Sequence, residues 1–360
     1  MHLNNFYKKK KILITGHTGF KGSWMVHWLS RFNVTIMGIA LKPQNKLNLF
    51  KFIEKKKLID VRLDITDYKK LEKKILKFKP DIIYHLAAQA LVRKSILDPL
   101  ETFNTNILGL TNLLNCINKL KKKTISVIVT SDKCYENLNI KRGYCETDKL
   151  GGHDPYSASK ASAEIVFKSY YNSFFKKNKN VRIATARAGN VIGGGDWSLD
   201  RLIPDCVKAW ALKKKAYIRN PNSTRPWQHV LEPLSGYIAL SYYLKKNQKI
   251  NGSSFNFGPK LNEVATVKEI LQLSNNYWDN AKFKIYKEKF FKEDHLLKLN
   301  SLKAQKILNW RKILSLKKTI ELTMNWYNKF YLGKYKVCDL LDNDINYFSK
   351  LKNKFNDKYK

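Results

Sequence analysis

Tyr156 and Lys160, in the run Tyr156-Ser-Ala-Ser-Lys160, stand four residues apart and share one face of a helix. An ammonium beside a phenol favours the phenolate, the form that takes a proton from a hydroxyl. Far upstream, Gly16-His-Thr18-Gly19-Phe20-Lys-Gly22 follows a β-branched run and opens an apolar helical stretch. Glycines so spaced permit a tight turn, let backbone approach a pyrophosphate, and aim a helix N-terminus at its negative charge. A phenolate base and a dinucleotide cradle on one chain point to oxidation of a hydroxyl by hydride transfer. Tyr and Lys are both abundant here, so the pair gains its weight from the elements that carry it.

Those elements follow a βαβ rhythm. Short β-branched runs at 11–15, 34–41, 58–65, 81–87, 124–131 and 181–188 alternate with helical patterns at 20–32, 68–78, 99–120 and 155–175. The pattern predicts an α/β fold: a doubly wound, Rossmann-type parallel sheet with a smaller mixed α/β substrate-binding lobe. Residues 1–188 are expected to form the dinucleotide-binding domain, with segments near 223–258 returning to it. Residues 189–332 break into Gly-, Pro- and Trp-rich loops that read mainly as the substrate lobe, and 333–360 as a polar tail.

Composition excludes several other classes. The 360 residues are 44% hydrophobic, enough for a sizeable core. Lys and Arg number 68 against 29 acidic residues, a formal +39, but the excess is mostly Lys in scattered short runs, as on a solvated surface, with no basic stripe for nucleic acid. Five cysteines without a C-x-x-C pair or nearby His cluster give neither a disulfide framework nor a metal site. No stretch has the length of a membrane span, and a cytoplasmic protein is expected.

The fifth β-run ends in Thr130-Ser-Asp132-Lys133-Cys-Tyr135. Further blocks follow in order: Glu146-Thr-Asp-Lys-Leu-Gly-Gly-His-Asp154, Arg187-Ala-Gly-Asn190-Val-Ile-Gly-Gly-Gly-Asp196-Trp197, Asp200-Arg201-Leu-Ile-Pro204-Asp205, Arg219-Asn-Pro221 and Arg225-Pro-Trp-Gln-His-Val-Leu-Glu232. Together with the glycine cradle, these blocks resemble the extended short-chain dehydrogenase/reductase family over most of the chain. Within it they resemble the nucleotide-sugar 4,6-dehydratases, in particular the CDP-glucose branch that carries Asp-Lys where many members carry Asp-Glu.

The resemblance implies roles. Thr130, Tyr156 and Lys160 are the expected triad, with Asp132 as the acid that expels water and Lys133 as the base at carbon 5 or as an electrostatic stabiliser. Gly16, Thr18, Gly19, Phe20, Gly22, Asp64, Ile65, Ala87, Ala88, Gln89, Tyr156 and Lys160 would hold NAD. NADP stays open, because Lys42 follows the second strand where a ribose-binding carboxylate is expected. Asn190, Arg201, Arg219 and Arg225 would bind CDP-glucose, and the active form would be a homodimer or higher homo-oligomer. Arg187 is either a phosphate contact or a buried structural partner. Trp197 and Trp227 either flank the substrate or fill the lobe's core, His229 reads as packing, and Glu293 with His295 match a late family motif loosely. The alternatives are a 4-epimerase, a dehydratase for another base or, in a different class, a non-catalytic NAD(P)-sensing or nucleic-acid-binding protein.

Overall fold

The structure is a computed structural model that describes residues 2–43, 45–279, 281–286 and 297–358. Seven strands form its central sheet: β1 Lys10–Thr15, β2 Val34–Ala40, β3 Leu58–Arg62, β4 Ile82–His85, β5 Thr124–Val129, β6 Val181–Ala188 and β7 Ser254–Phe257. Their order is β7-β6-β5-β4-β1-β2-β3, and every neighbouring pair is parallel. Helices cover both faces, so Ile12, Leu13 and Ile14 are buried without alternation. The sheet order reverses between β1 and β4, which opens a crevice at the strands' carboxyl ends.

The first crossover helix, α1 (Phe20–Ser30), starts directly at that crevice. Gly16 takes φ +72, and a Cβ there would lie 2.6 Å from the backbone nitrogen of Ala87. At Gly22 a Cβ would meet the Gly16 carbonyl at 2.1 Å, so only glycine lets the helix sit on the turn.

Two expected helices contain π-turns. The 99–120 pattern is divided by a π-turn at Asn104–Leu108, and the 155–175 pattern gives α2 (Pro155–Tyr170) followed by a π-turn at Tyr171–Phe175. The first has a visible use. It turns Asn106 so that its Nδ2 donates to the Gln89 carbonyl at 3.0 Å and to Ser159 at 2.8 Å, while its Oδ1 accepts from the Gln89 N–H at 2.9 Å. This clamps the loop after β4.

Beyond β6 the chain makes short two-stranded pieces, such as Ala216–Ile218 with Phe283–Ile285 and Thr224–Arg225 with Ala265–Thr266. Helix α3 (Leu231–Lys246) then returns to the sheet and leads into β7. The segment read as a polar tail contains helix α4 (Val337–Lys358), whose Leu341, Ile345 and Phe348 are buried. It packs on α1 through Trp28 and Phe348, whose rings meet edge to face, and through His27, 3.2 Å from Asp342. A stripe of apolar residues three and four apart made that docking possible in an otherwise polar sequence.

Candidate active site

β5 ends at Val129, and Ser131 caps a single 3-10 turn, Asp132–Cys134. α2 begins opposite, with Asp154 as N-cap accepting from the Ser157 N–H and Pro155 at its first position. These two starts bring Ser131, Asp132 and Tyr156 together. The Ser131 hydroxyl donates to Asp132 Oδ1 at 2.9 Å, and it lies close enough to the Tyr156 phenol to oppose the effect of burial on its proton affinity.

Thr130, expected beside Tyr156, turns the other way. Its Oγ1 donates to Glu164 at 2.5 Å, behind the site. The reason is strand alternation: consecutive residues at a strand's end face opposite sides, so only one of two adjacent hydroxyls reaches the crevice. Ser131 is therefore the hydroxyl at the phenol. The Thr130-Ser131 pair was visible in the sequence, but its phase was not.

Glu164 lies one turn beyond Lys160 on α2. It receives Thr130, Thr185, Ser254 and, at 2.7 Å, the Arg187 guanidinium. Arg187 continues to the Tyr135 phenol at 2.7 Å. Of the two readings of Arg187, the structure selects the buried structural partner, since both ions are fully enclosed.

The environment sets the proton affinities. Burial raises Asp132 above the ordinary carboxylate range, with Lys133, Ser131 and Lys21 pulling the other way. Burial lowers Lys160 to about 8. Tyr156 differs from expectation. Burial pushes its phenol up to about 12, the Ser131 hydroxyl opposes this, and Lys160 Nζ lies 5.8 Å from the ring centroid. Lys21, in the glycine cradle, is lowered to about 8 by burial and then by Arg201, and feels both Asp132 and Lys160. Lys133 is half-buried and lines a small recess with His153, Asp154 and Ser157.

The cradle's geometry suits a dinucleotide. Gly19 is the N-cap of α1 with extended backbone and no side-chain cap, so that helix end presents backbone N–H groups. Thr18 donates to the Leu41 carbonyl at 3.2 Å and closes the turn on the end of β2. Ala87 donates its N–H to Thr15, and the Gln89 amide is spent on Leu91 and Thr102, so this loop is held rigid and close to the crevice. Ile65 is core, packed where a Cβ on Gly109 would touch it, and Asp64 caps Thr66 at 2.9 Å. Asp60 on β3 is engaged by His17 at 2.9 Å and Arg62 at 2.7 Å. Lys42 is exposed.

On the substrate side, Asn190 is exposed at the end of β6, Arg201 pairs with Asp196 at 3.0 Å, and Arg219 approaches Asp200 at 3.5 Å. Arg225 is half-buried and donates to the Thr224 carbonyl. Trp197 and Trp227 are lobe core: Trp197 packs edge-on or tilted among Trp326, Tyr327 and Phe330, and Trp227 donates to the Ala265 carbonyl. His229 is packing, fully buried edge-on to Trp24. Glu293 and His295 lie outside the described residues. Among the described residues there is no metal-binding cluster and no helix long and apolar enough to cross a membrane.

Comparison with known proteins agrees with this geometry. The family model for GDP-mannose 4,6 dehydratase matches residues 13–323. CDP-glucose 4,6-dehydratase of Salmonella typhimurium is 40% identical over 92% of this chain and 94% of the relative, and the dTDP-D-glucose 4,6-dehydratase of Dictyostelium discoideum is 27% identical over 88% and 81%. Among solved structures, the NAD complex of dTDP-glucose 4,6-dehydratase from Bacillus anthracis superimposes with TM-score 0.74 at 23% identity, covering 89% of this chain and 97% of that one. The chain belongs to the GDP-mannose 4,6 dehydratase family, the nucleotide-sugar dehydratases of the extended short-chain dehydrogenases/reductases.

Proposed function

We propose that this enzyme converts CDP-D-glucose to CDP-4-dehydro-6-deoxy-D-glucose and water, with NAD as a cofactor regenerated in each cycle. The observation that carries the reaction type is the buried acid Asp132, which accepts from Ser131 at 2.9 Å and lies within electrostatic range of the Tyr156 phenol. A 4-epimerase needs no acid for water loss. The cytidine base rests on the Salmonella relative.

In this reading Gly16, Gly19 and Gly22 with the α1 N-terminus would hold the pyrophosphate, Thr18, Phe20, Asp64, Ile65 and the Ala87-Ala88-Gln89 loop would line the rest, and Tyr156 and Lys160 would hold the ribose and nicotinamide end. NAD, when bound, would supply the hydride acceptor for carbon 4 and donor for carbon 6, and a positive charge that favours the phenolate. Tyr156 takes the proton of the 4-hydroxyl while Ser131 holds that oxygen by a hydrogen bond. Asp132, whose proton affinity burial raises, gives its proton to the departing 6-hydroxyl, while Lys133 removes the proton at carbon 5 and returns it there as carbon 6 receives hydride. Asn190, Arg201, Arg219 and Arg225 bind the nucleotide diphosphate.

The enzyme is read as a cytoplasmic homodimer joined through the helices at 99–119 and 155–170. Exposed Leu100 (70%) and Ile165 (58%) on that face support this, and sedimentation tests it.

The deciding experiment incubates the protein and NAD with CDP-, dTDP-, UDP- and GDP-glucose and reads the ultraviolet band of a 4-keto sugar in alkali. CDP-glucose is expected to give it. Product from another nucleotide alone overturns the base, and an epimerised sugar with no water lost overturns the reaction.

A further inference from the structure

Arg93 and Arg219 come from different parts of the chain. Arg93 lies on the short helix Val92–Leu97, just after the loop that follows β4, and Arg219 follows the substrate-lobe strand Ala216–Ile218. Both reach the same carboxylate oxygen. Asp200 Oδ1 is 3.3 Å from Arg93 Nη1 and 3.5 Å from Arg219 Nη2. Asp200 holds that position in left-handed backbone, φ +58, in the turn between Asp196 and Arg201. The next residue, Arg201, pairs with Asp196 at 3.0 Å and lies within electrostatic range of Lys21 and Tyr156, so the bridge borders the site itself. All three side chains of the bridge keep contact with solvent, at 30%, 43% and 27% exposure for Arg93, Asp200 and Arg219.

Two guanidinium groups converging on one anionic oxygen make the arrangement that a diphosphate suits better than a carboxylate. A diphosphate offers more charge and bidentate partners for both forks. A solvent-exposed ion pair holds its partners weakly and exchanges readily. Here the internal anion is carried by a turn that glycine or asparagine would fill more comfortably.

We propose that Asp200 is a built-in substitute for a phosphate oxygen, holding Arg93 and Arg219 converged in the ligand-free enzyme, and that the substrate's diphosphate displaces it and takes Arg93 as a ligand. Arg93 is then a diphosphate-binding residue contributed from the dinucleotide-binding half, and Asp200 an internal competitor that sets nucleotide affinity. The inference rests on the nucleotide-sugar reading above.

The test is titration calorimetry of wild type, Asp200→Asn and Arg93→Gln with CDP, dTDP, UDP and GDP, alongside KM and kcat for the active sugar. Removing the internal anion is expected to tighten nucleoside diphosphate binding and lower KM by about threefold to tenfold. Arg93→Gln should weaken both by about tenfold or more, acting on KM more than kcat, with NAD affinity unchanged. In the double variant the gain from Asp200→Asn should shrink, because its competitor role acts through Arg93. Unchanged or weaker nucleotide binding in Asp200→Asn, in protein with wild-type melting, overturns the proposal. Asp200→Ala repeats the test with no side-chain amide to bind in place of the carboxylate. If the wild type acts on CDP-glucose and these shifts are absent, this inference alone fails. If CDP does not bind but another diphosphate shows the shifts, the inference stands and the base assignment fails.

Discussion

Two sets of charges border the active site, and they differ in nearly every physical respect except sign. Glu164 and Arg187 are sealed, at 2% and 3% side-chain exposure, and the carboxylate is saturated by three hydroxyls as well as the guanidinium. Asp200, between Arg93 and Arg219, is 43% exposed and held at 3.3 and 3.5 Å. A sealed pair cannot exchange partners, because either ion alone in that interior is very costly. A solvated pair can exchange, because water screens each group while it is alone. The first therefore fixes where β5, β6 and α2 sit relative to one another, and the second is free to give way to a ligand.

Glu164 of the sealed pair shares α2 with Tyr156, and the largest expected effect breaks the chemistry while leaving both charge sets intact. Tyr156→Phe should reduce hydride transfer by about 100-fold to 10,000-fold with unchanged melting, read by single-turnover absorbance at the nicotinamide band. Unaffected transfer removes the proposed function.

Glu164→Gln attacks the sealed side. Arg187 would remain charged in the interior, at a cost of about 3 to 5 kcal/mol in chemical denaturation. A loss below about 1 kcal/mol would place this pair in the same class as the cleft bridge.

The two adjacent hydroxyls sharpen the contrast further. Ser131→Ala should slow turnover by about tenfold or more, at a stability cost of about 1 kcal/mol for its lost cap and buried hydrogen bond. Thr130→Val should cost a similar amount, about 1 kcal/mol for one buried hydrogen bond, with a much smaller kinetic effect. The reverse pattern would return Thr130 to the site.

Titration offers a smaller effect. Lys160 loses its proton as pH rises through about 8, so the rate should fall on the alkaline side. A rate still climbing at pH 9 contradicts this. Away from the site, burial pushes Asp344 on α4 up to about 8, far above its value in the unfolded chain. Folding then takes up a proton, so stability falls as pH rises through that window. Asp344→Asn should raise the melting temperature at pH 8 by about 2 °C and flatten its pH dependence. An unchanged slope would locate the effect elsewhere.

The smallest expected change is on the exchangeable side. Asp200→Asn should alter folding stability by no more than about 0.5 kcal/mol, whatever it does to nucleotide binding. A loss as large as that of Glu164→Gln would make the bridge structural.

How much of this was legible beforehand varies residue by residue. The glycine cradle was, because a positive φ at Gly16 and a carbonyl 2.1 Å from a hypothetical Cβ at Gly22 leave no other residue type. So was the pairing of Tyr156 with Lys160, since helical spacing sets the face they share. Ser131 was not: the choice between neighbouring hydroxyls turns on where β5 ends, and its last hydrogen bonds are made with distant strands. Glu164 was not either, since its partners come from β5, β6 and β7. Arg93 gave no local sign, because Asp200, which it reaches among the described residues, lies 107 positions away.

The sequence by itself determined the parallel sheet, the glycine turn and the order of the motif blocks, because each follows from contacts within a few residues or from the alternation of strand and helix. Tertiary structure decided which hydroxyl meets the phenol, that Arg187 is sealed and Arg219 is not, that Trp197 and Trp227 serve the lobe's interior, and that α4 docks on α1. Each of those outcomes depends on how much water remains around a group. That depends on segments of the chain that are neighbours only after folding.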